Sequence, residues 1–184
     1  MAIEIVFETH STSIDNERGI ATGWLDGQLS TTGRQQAVEL GARRRDDRLA
    51  AVFTSDLGRA VETARIAFGD SEIPVYEDAR LRECNYGRLN GAARAQLDLE
   101  RAQRLDEPFP EGESLRQATG RVGDFLNGLA PDRDGERILL IGHVATRWGL
   151  DHFLNGVPLE ELVDAPFAWQ EGWEYRVPHP ATGT

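Results

Sequence analysis

Lysine is missing from this chain: all 20 basic residues are arginine. With no amine side chain there is no Schiff-base lysine, and a phosphate-binding G-x-x-x-x-G-K loop is excluded. Cysteine occurs once, at Cys84, which rules out an internal disulfide and C-x-x-C zinc spacing. No apolar run approaches the ~20 residues that a membrane span needs. The opening MAIEIVFETH carries neither the basic segment nor the long apolar stretch of a signal peptide. Positive charge is scarce as well: 20 basic against 31 acidic residues leave a net charge of −11. That balance opposes nonspecific binding to nucleic acid or to acidic membranes. The expectation is a cytoplasmic protein with a small-molecule partner, no nucleic acid and no membrane; nothing in the sequence speaks to its oligomeric state.

What is present fits one compact unit. A chain of 184 residues buries roughly 70% of its unfolded surface, enough for a core without staples. Ile3–Phe7 reads as a buried strand that stops at the polar Glu8–Ser13 stretch. A turn-rich loop follows, then a helix capped by Thr31 or Thr32 and running to about Arg48. Ala50–Thr54 reads as a second strand, with Ser55 or Asp56 capping a helix over Leu57–Phe68. Ile73–Tyr76 is a weak third strand, and a helix is expected from about Ala92 to Arg104. Ser114 caps another helix to about Leu129; Arg137–Ile141 is the clearest buried strand. A helix over Thr146–Leu154 and a strand over Trp173–Val177 close the chain before a frayed tail, Pro178–Thr184. Strands alternating with helices predict an α/β fold: a three-layer αβα sandwich with a mainly parallel sheet. The polar stretch from about 80 to 112 reads as a short helical lid within a single domain spanning 1–184.

In open α/β sheets ligands bind beyond the carboxyl ends of the strands. His10 follows the first strand, Arg59 lies in the first helical turn after the second, and His143 follows the Arg137–Ile141 strand. One such histidine alone is more often a cap or a core residue. Two histidines and an arginine converging on one edge suit phosphoryl chemistry: guanidinium forks bind phosphate oxygens, and a neutral imidazole can carry a phosphoryl group. Zinc would need a third ligand, and no H-E-x-x-H or Cys/His cluster exists. G-x-S-x-G and G-x-G-x-x-G are both absent.

Five blocks occur in order: His10…Asn16…Thr22-Gly23-Trp24…Gly33; Thr54-Ser55-Asp56-Leu57-Gly58-Arg59-Ala60; Leu81-Arg82-Glu83…Tyr86-Gly87; Pro110-Glu111-Gly112-Glu113-Ser114; and Gly142-His143. Together they resemble the histidine phosphatase superfamily, in its phosphoglycerate mutase-like branch. The resemblance implies a metal-independent phosphomonoesterase without cofactor, acting on a small phosphorylated metabolite through a phosphohistidine. It casts His10 as nucleophile, Arg59 and His143 as ligands of the phosphoryl oxygens, and Glu83 as general acid and then base. Asn16, Thr22, Gly23, Ser11 and Val144 would line the substrate pocket.

The match departs from the family's opening Arg-His-Gly-Glu, which here reads Thr9-His10-Ser11-Thr12. One phosphate-binding arginine is therefore absent, and Val144 stands where the family has glycine. Arg18 and Arg147 are candidate replacements, and Glu8 would repel phosphate if it faced the site. The alternatives are a mutase-like phosphotransferase and an altered or inactive member that binds phosphate esters. Among other residues, Arg43-Arg44-Arg45 reads as a solvated helix end beside Asp46-Asp47. Cys84 reads as a small buried residue and Trp24 as packing, while Trp169, Trp173 and Tyr175 either wall the pocket or pack the C-terminal element.

Overall fold

The computed structural model describes residues 2–129 and 133–178, so Met1 and the tail beyond Pro178, with His179, lie outside the described residues. The sheet has five strands: β1 (Ile3–Thr9), β3 (Ala51–Thr54), β4 (Val75–Glu77), β6 (Arg137–Gly142) and β7 (Trp173–Val177). Their order is β4-β3-β6-β1-β7, all parallel except β7, which runs antiparallel to β1. A separate two-residue pairing joins β2 (Ile20–Ala21) to β5 (Ala92–Ala93).

The three expected layers follow from which way the strand residues face. Ile3, Ile5 and Phe7 pack with Val122, Phe125 and Leu150 on one side of the sheet. Val6, Val52, Leu139 and Ile141 pack with Leu40, Ala60 and Ala64 on the other. The first face is covered by α5 (Leu115–Gly128) and α6 (Val144–Asn155), the second by α2 (Thr31–Arg44) and α3 (Gly58–Phe68). Complete burial of a Phe or Leu such as Phe7 or Leu140 contributes about 1.5–3 kcal/mol each. A third cluster seats Leu97 of α4 (Arg94–Glu100) and Phe109 against Leu115, Trp148 of α6, and Leu159 and Val163 of α7 (Leu159–Asp164).

Local chemistry moves several boundaries. Ser30, not Thr31 or Thr32, caps α2 by accepting from the Gly33 N–H. This helix ends at Arg44, and Arg48 takes a left-handed φ of 51° in the turn beyond. Ser114 does cap α5, in a reciprocal box with Gln117. Leu57 is the cap position of α3 and, as leucine, offers no side-chain acceptor; Ser55 Oγ accepts from the Leu57 N–H and bonds His143, and Asp56 pairs with Arg82. The single helix expected over Ala92–Arg104 is divided into β5, α4 and a 3₁₀ turn at Gln103–Leu105. α1 (Ile14–Glu17) and α7 are short helices that the periodicity did not separate from loop.

The Arg43-Arg44 pair is not a solvated helix end. Glu8 lies on the α2 side of β1, is 1% exposed, and accepts from Arg43 Nη2 at 3.0 Å and Arg44 Nη2 at 2.8 Å. Arg44 also reaches Asp47 and the Glu171 carbonyl, tying the C-terminal loop to α2. Glu8 is thus neutralised where it stands and is no obstacle to an anion. A buried carboxylate is tolerated only with such partners. Glu8→Gln should destabilise the fold by about 3 kcal/mol, read as a lower urea midpoint at unchanged m; an unchanged midpoint would show the pairing to be incidental.

Candidate active site

The strand order creates the site. β3, β6 and β1 are adjacent and parallel, with Thr54 opposite Ile141 and Gly142 opposite Thr9. The residues leaving their carboxyl ends must therefore stand side by side. They are Ser55 with Arg59 beyond it, His143, and His10, whose N–H donates to the Gly142 carbonyl at 2.9 Å. The His10 and His143 rings lie 5.0 Å apart between centroids.

Arg59 is 3% exposed and lies behind both rings. Its Nε donates to His10 Nε2 at 3.3 Å, and its Nη2 donates to His143 Nδ1 at 3.3 Å and to the Gly23 carbonyl at 3.0 Å. Its Nη1 is buried with no hydrogen-bond partner among the described residues. Since guanidinium only donates, both contacted imidazole nitrogens carry lone pairs. His10 Nδ1 then donates to the Ser11 carbonyl at 2.7 Å, and His143 Nε2 donates to Ser55 Oγ at 2.8 Å. Each ring is set as one neutral tautomer. Burial, and next the Arg59 charge, push the His10 pKa down to about 3 despite the opposing pull of the Ser11 carbonyl. His143 is held well below its usual value by burial, then Arg59, then His10.

Glu83 follows the 3₁₀ turn at Ala79–Leu81. Its Oε1 accepts from the Cys84 N–H at 2.8 Å and the Ala145 N–H at 3.4 Å, the latter in the first turn of α6. Arg121 of α5 clamps the segment, donating to the carbonyls of Ala79, Arg80, Arg82 and Glu83. Trp24 Nε1 donates to the same Glu83 carbonyl at 2.7 Å, under the Arg82 guanidinium, which packs 4.5 Å from its ring.

A cavity of about 550 Å³ opens over these groups, and His10, Glu83, His143, Asn16, Thr22, Gly23, Ser11 and Val144 all stand on its wall. Thr22 donates to Asp15 at 2.8 Å, and Ser11 is held by Thr63 Oγ1 accepting from its N–H at 3.0 Å. Asn16 turns its carbonyl oxygen to the Ser13 N–H, leaving the amide NH₂ for a ligand. Gly23 needs to be glycine: φ is +56°, and a Cβ would come within 1.9 Å of Asn90 Oδ1. Among the described residues, no group of three His, Cys, Asp or Glu side chains is placed to hold a metal ion.

The model of the histidine phosphatase superfamily (branch 1) matches residues 5–169. The chain belongs to that superfamily. A phosphoglycerate mutase of Cytophaga hutchinsonii, dependent on 2,3-bisphosphoglycerate, is 30% identical over 176 residues, 89% of this chain and 83% of the relative. Its namesake in Staphylococcus haemolyticus is 36% identical, covering 87% and 88% of the two chains. Among solved structures, Bacillus stearothermophilus YhfR superposes with a TM-score of 0.82 at 27% identity, over 94% of this chain and 90% of that one. A mycobacterial glucosyl-3-phosphoglycerate phosphatase, solved with VO3, gives 0.72 at 26% identity over 87% and 85%. Mutases and phosphatases both appear, so membership supports an enzyme without choosing its reaction.

Arg18 and Arg147, the two expected replacements for a motif arginine at position 9, are absent from the cavity wall. Arg147 pairs with Asp151 at 3.3 Å and packs over Trp173 at 4.4 Å, and Arg18 caps the far end of α1. The arginines on the wall are instead Arg43, Arg94 and Arg101. Of the C-terminal aromatics, Trp169 lines the cavity, while Trp173 and Tyr175 are core residues. Trp24 is absent from the wall and serves packing. Cys84 is fully buried, with its thiol pushed up by burial. The sequence reading missed Ser55, Thr63 and Arg121; Ser55 stands within the second matching block and Thr63 three residues beyond its last quoted residue, but their partners His143 and Ser11 lie far away in sequence.

Two histidines held neutral in the folded state make stability depend on pH. Their folded pKa values lie below the unfolded value of 6.5, so between about 3 and 6.5 the unfolded chain binds more protons. Stability should therefore fall as pH drops below 6.5, by up to about 1.4 kcal/mol per pH unit for each imidazole. Denaturation of wild type and of His143→Asn over pH 4–8 should show a shallower acid loss in the variant; parallel profiles would contradict the assignment.

Proposed function

We propose that this protein is a phosphomonoesterase that works through a phosphohistidine at His10, without a metal. The observation that carries this reading is the tautomer of His10. Its Nδ1–H is held on the Ser11 carbonyl, so the lone pair is on Nε2, where it accepts from Arg59, which lies behind the cavity wall. At 3.3 Å the Arg59 contact is at the long end for a hydrogen bond, so the lone pair is readily redirected. A pKa near 3 keeps the nucleophile neutral across the physiological range.

Nε2 attacks phosphorus as the bond to the leaving oxygen breaks. The proton for that oxygen comes from Glu83, whose Oε2 has no bond to the chain while Oε1 is anchored. In the second half Glu83, now a carboxylate, takes a proton from water; the water oxygen attacks phosphorus and the P–N bond breaks. Arg59 stabilises charge on the transferring group from below, its unpartnered Nη1 included. A dianionic phosphoryl group reverses the field that keeps His143 neutral. A proton taken from solvent at Nδ1, as Arg59 Nη2 gives up its contact there for a phosphoryl oxygen, then makes His143 a donor to that group.

Support for hydrolysis over transfer comes from the short segment between Glu83 and His143, which leaves little chain for a cap over the site. The names of the curated relatives favour phosphoglycerate transfer instead. Faster formation of 2-phosphoglycerate than of free phosphate, from 3-phosphoglycerate and a bisphosphoglycerate primer, would decide for the mutase.

With EDTA present, wild type should hydrolyse p-nitrophenyl phosphate and His10→Ala should not. Thr9→Arg should gain on the order of tenfold or more in kcat/KM by restoring a phosphate ligand. Silence in wild type and Thr9→Arg alike would sink the phosphatase reading. Glu83→Gln should lose about 10²-fold in kcat on an alkyl phosphate and far less on p-nitrophenyl phosphate, whose leaving group needs no proton. Equal losses on both would remove Glu83 from the role of acid.

A further inference from the structure

We infer that the cavity selects phosphate monoesters with a bulky, uncharged aromatic leaving group, and that Trp169 is a specificity-determining residue. This rests on the phosphatase reading for its chemistry but on independent observations for its ligand. Volume comes first. At about 550 Å³ the space is that of sites for drug-sized ligands, ~300–1,000 Å³, far more than a phosphoryl group on a three-carbon acid fills.

The second observation is the charge of the wall. It carries five carboxylates, Glu8, Glu39, Glu83, Asp98 and Glu171, against three arginines, Arg43, Arg94 and Arg101. Two of those arginines are neutralised in place, Arg43 by Glu8 and Arg101 by Asp98. Arg94, at the exposed start of α4, has no ion pair among the described residues. Arg59, behind the histidines, is committed to the phosphoryl group. Glu8 and Asp98 are neutralised by the same pairs, so a second anionic group on the substrate would meet Glu39, Glu83 and Glu171 with Arg94 as the unpaired arginine of the wall among the described residues.

The third observation is where apolar surface is offered. Thr9, at the carboxyl end of β1, is a short side chain on the cavity wall. Phe167 and Trp169 of the C-terminal loop line the cavity with Thr9. Phe167 is anchored against Trp173, ring centroids 6.1 Å apart, whereas Trp169 is 58% exposed and has no ring partner among the described residues. Tyr86, Leu97 and Phe109 also line the cavity. An aromatic leaving group on a phosphoryl centre held at His10 would find apolar lining side chains and a free indole face to stack on.

The test uses phosphonates, which bind without being hydrolysed, so it reads the pocket whether or not the enzyme turns over. Wild type is titrated calorimetrically with 1-naphthylmethylphosphonate and with 3-phosphonopropionate. The naphthyl compound should bind at least about tenfold more tightly. Trp169→Ala should abolish most of that preference, Trp169→Phe should recover it in part, and 3-phosphonopropionate affinity should not move. Equal or tighter binding of 3-phosphonopropionate, or a Trp169→Ala effect common to both ligands, would overturn the inference. Loss of turnover with the binding preference intact would overturn the phosphatase reading alone.

Discussion

The site is organised by one buried cation. Arg59 touches both histidines and the Gly23 carbonyl at once, with almost no solvent to screen it. Burying a guanidinium is costly unless its donors are used. Here Nε and Nη2 go to imidazole lone pairs and a backbone oxygen, Nη1 stays without a partner, and no carboxylate among the described residues bonds directly to it. The consequence is electrostatic: burial first, and the Arg59 charge second, hold both rings neutral, and the cation leaves a field ready for an anion. Thr63 links this centre to the loop after β1, accepting from Ser11 while donating to the Arg59 carbonyl. The nucleophile's loop is therefore pinned to the helix that carries the cation.

Topology gives that interaction its geometry. The central order β3-β6-β1 brings three carboxyl ends together, so residues 49 and 84 positions from Arg59 meet it. Glu83 comes to the same edge by a different device, a loop fixed by Arg121 and Trp24 through backbone carbonyls. Such contacts hold the main chain rather than the reactive group, leaving one Glu83 oxygen unused. Among the described residues Arg59 is the one arginine that bonds His10, and Glu8 holds Arg43.

Much of this was legible in the sequence. The buried strands announce themselves as apolar runs, and His10, Arg59 and His143 each follow one of them. Caps that use a hydroxyl and a neighbour three residues on, as at Ser114, were legible for the same local reason. What was not legible depends on contacts distant in sequence. Arg43 and Arg44 looked solvated because Asp46 and Asp47 are near in the chain, while Glu8, 35 and 36 residues away, is near in space. Ser55 looked like a helix cap, yet its hydroxyl serves His143. The division of labour between Trp169 and Trp173 likewise depends on which way a loop and a strand turn, which composition cannot reveal.

The central claim is that Arg59 and burial hold His10 neutral with the proton on Nδ1. Nitrogen-15 NMR of the histidine side chains across pH 4–8 tests it directly. The account predicts that the His10 signals keep one neutral tautomer, protonated at Nδ1 and bare at Nε2, down to pH 4. A His10 that titrates near 6.5, or carries its proton on Nε2, would contradict it.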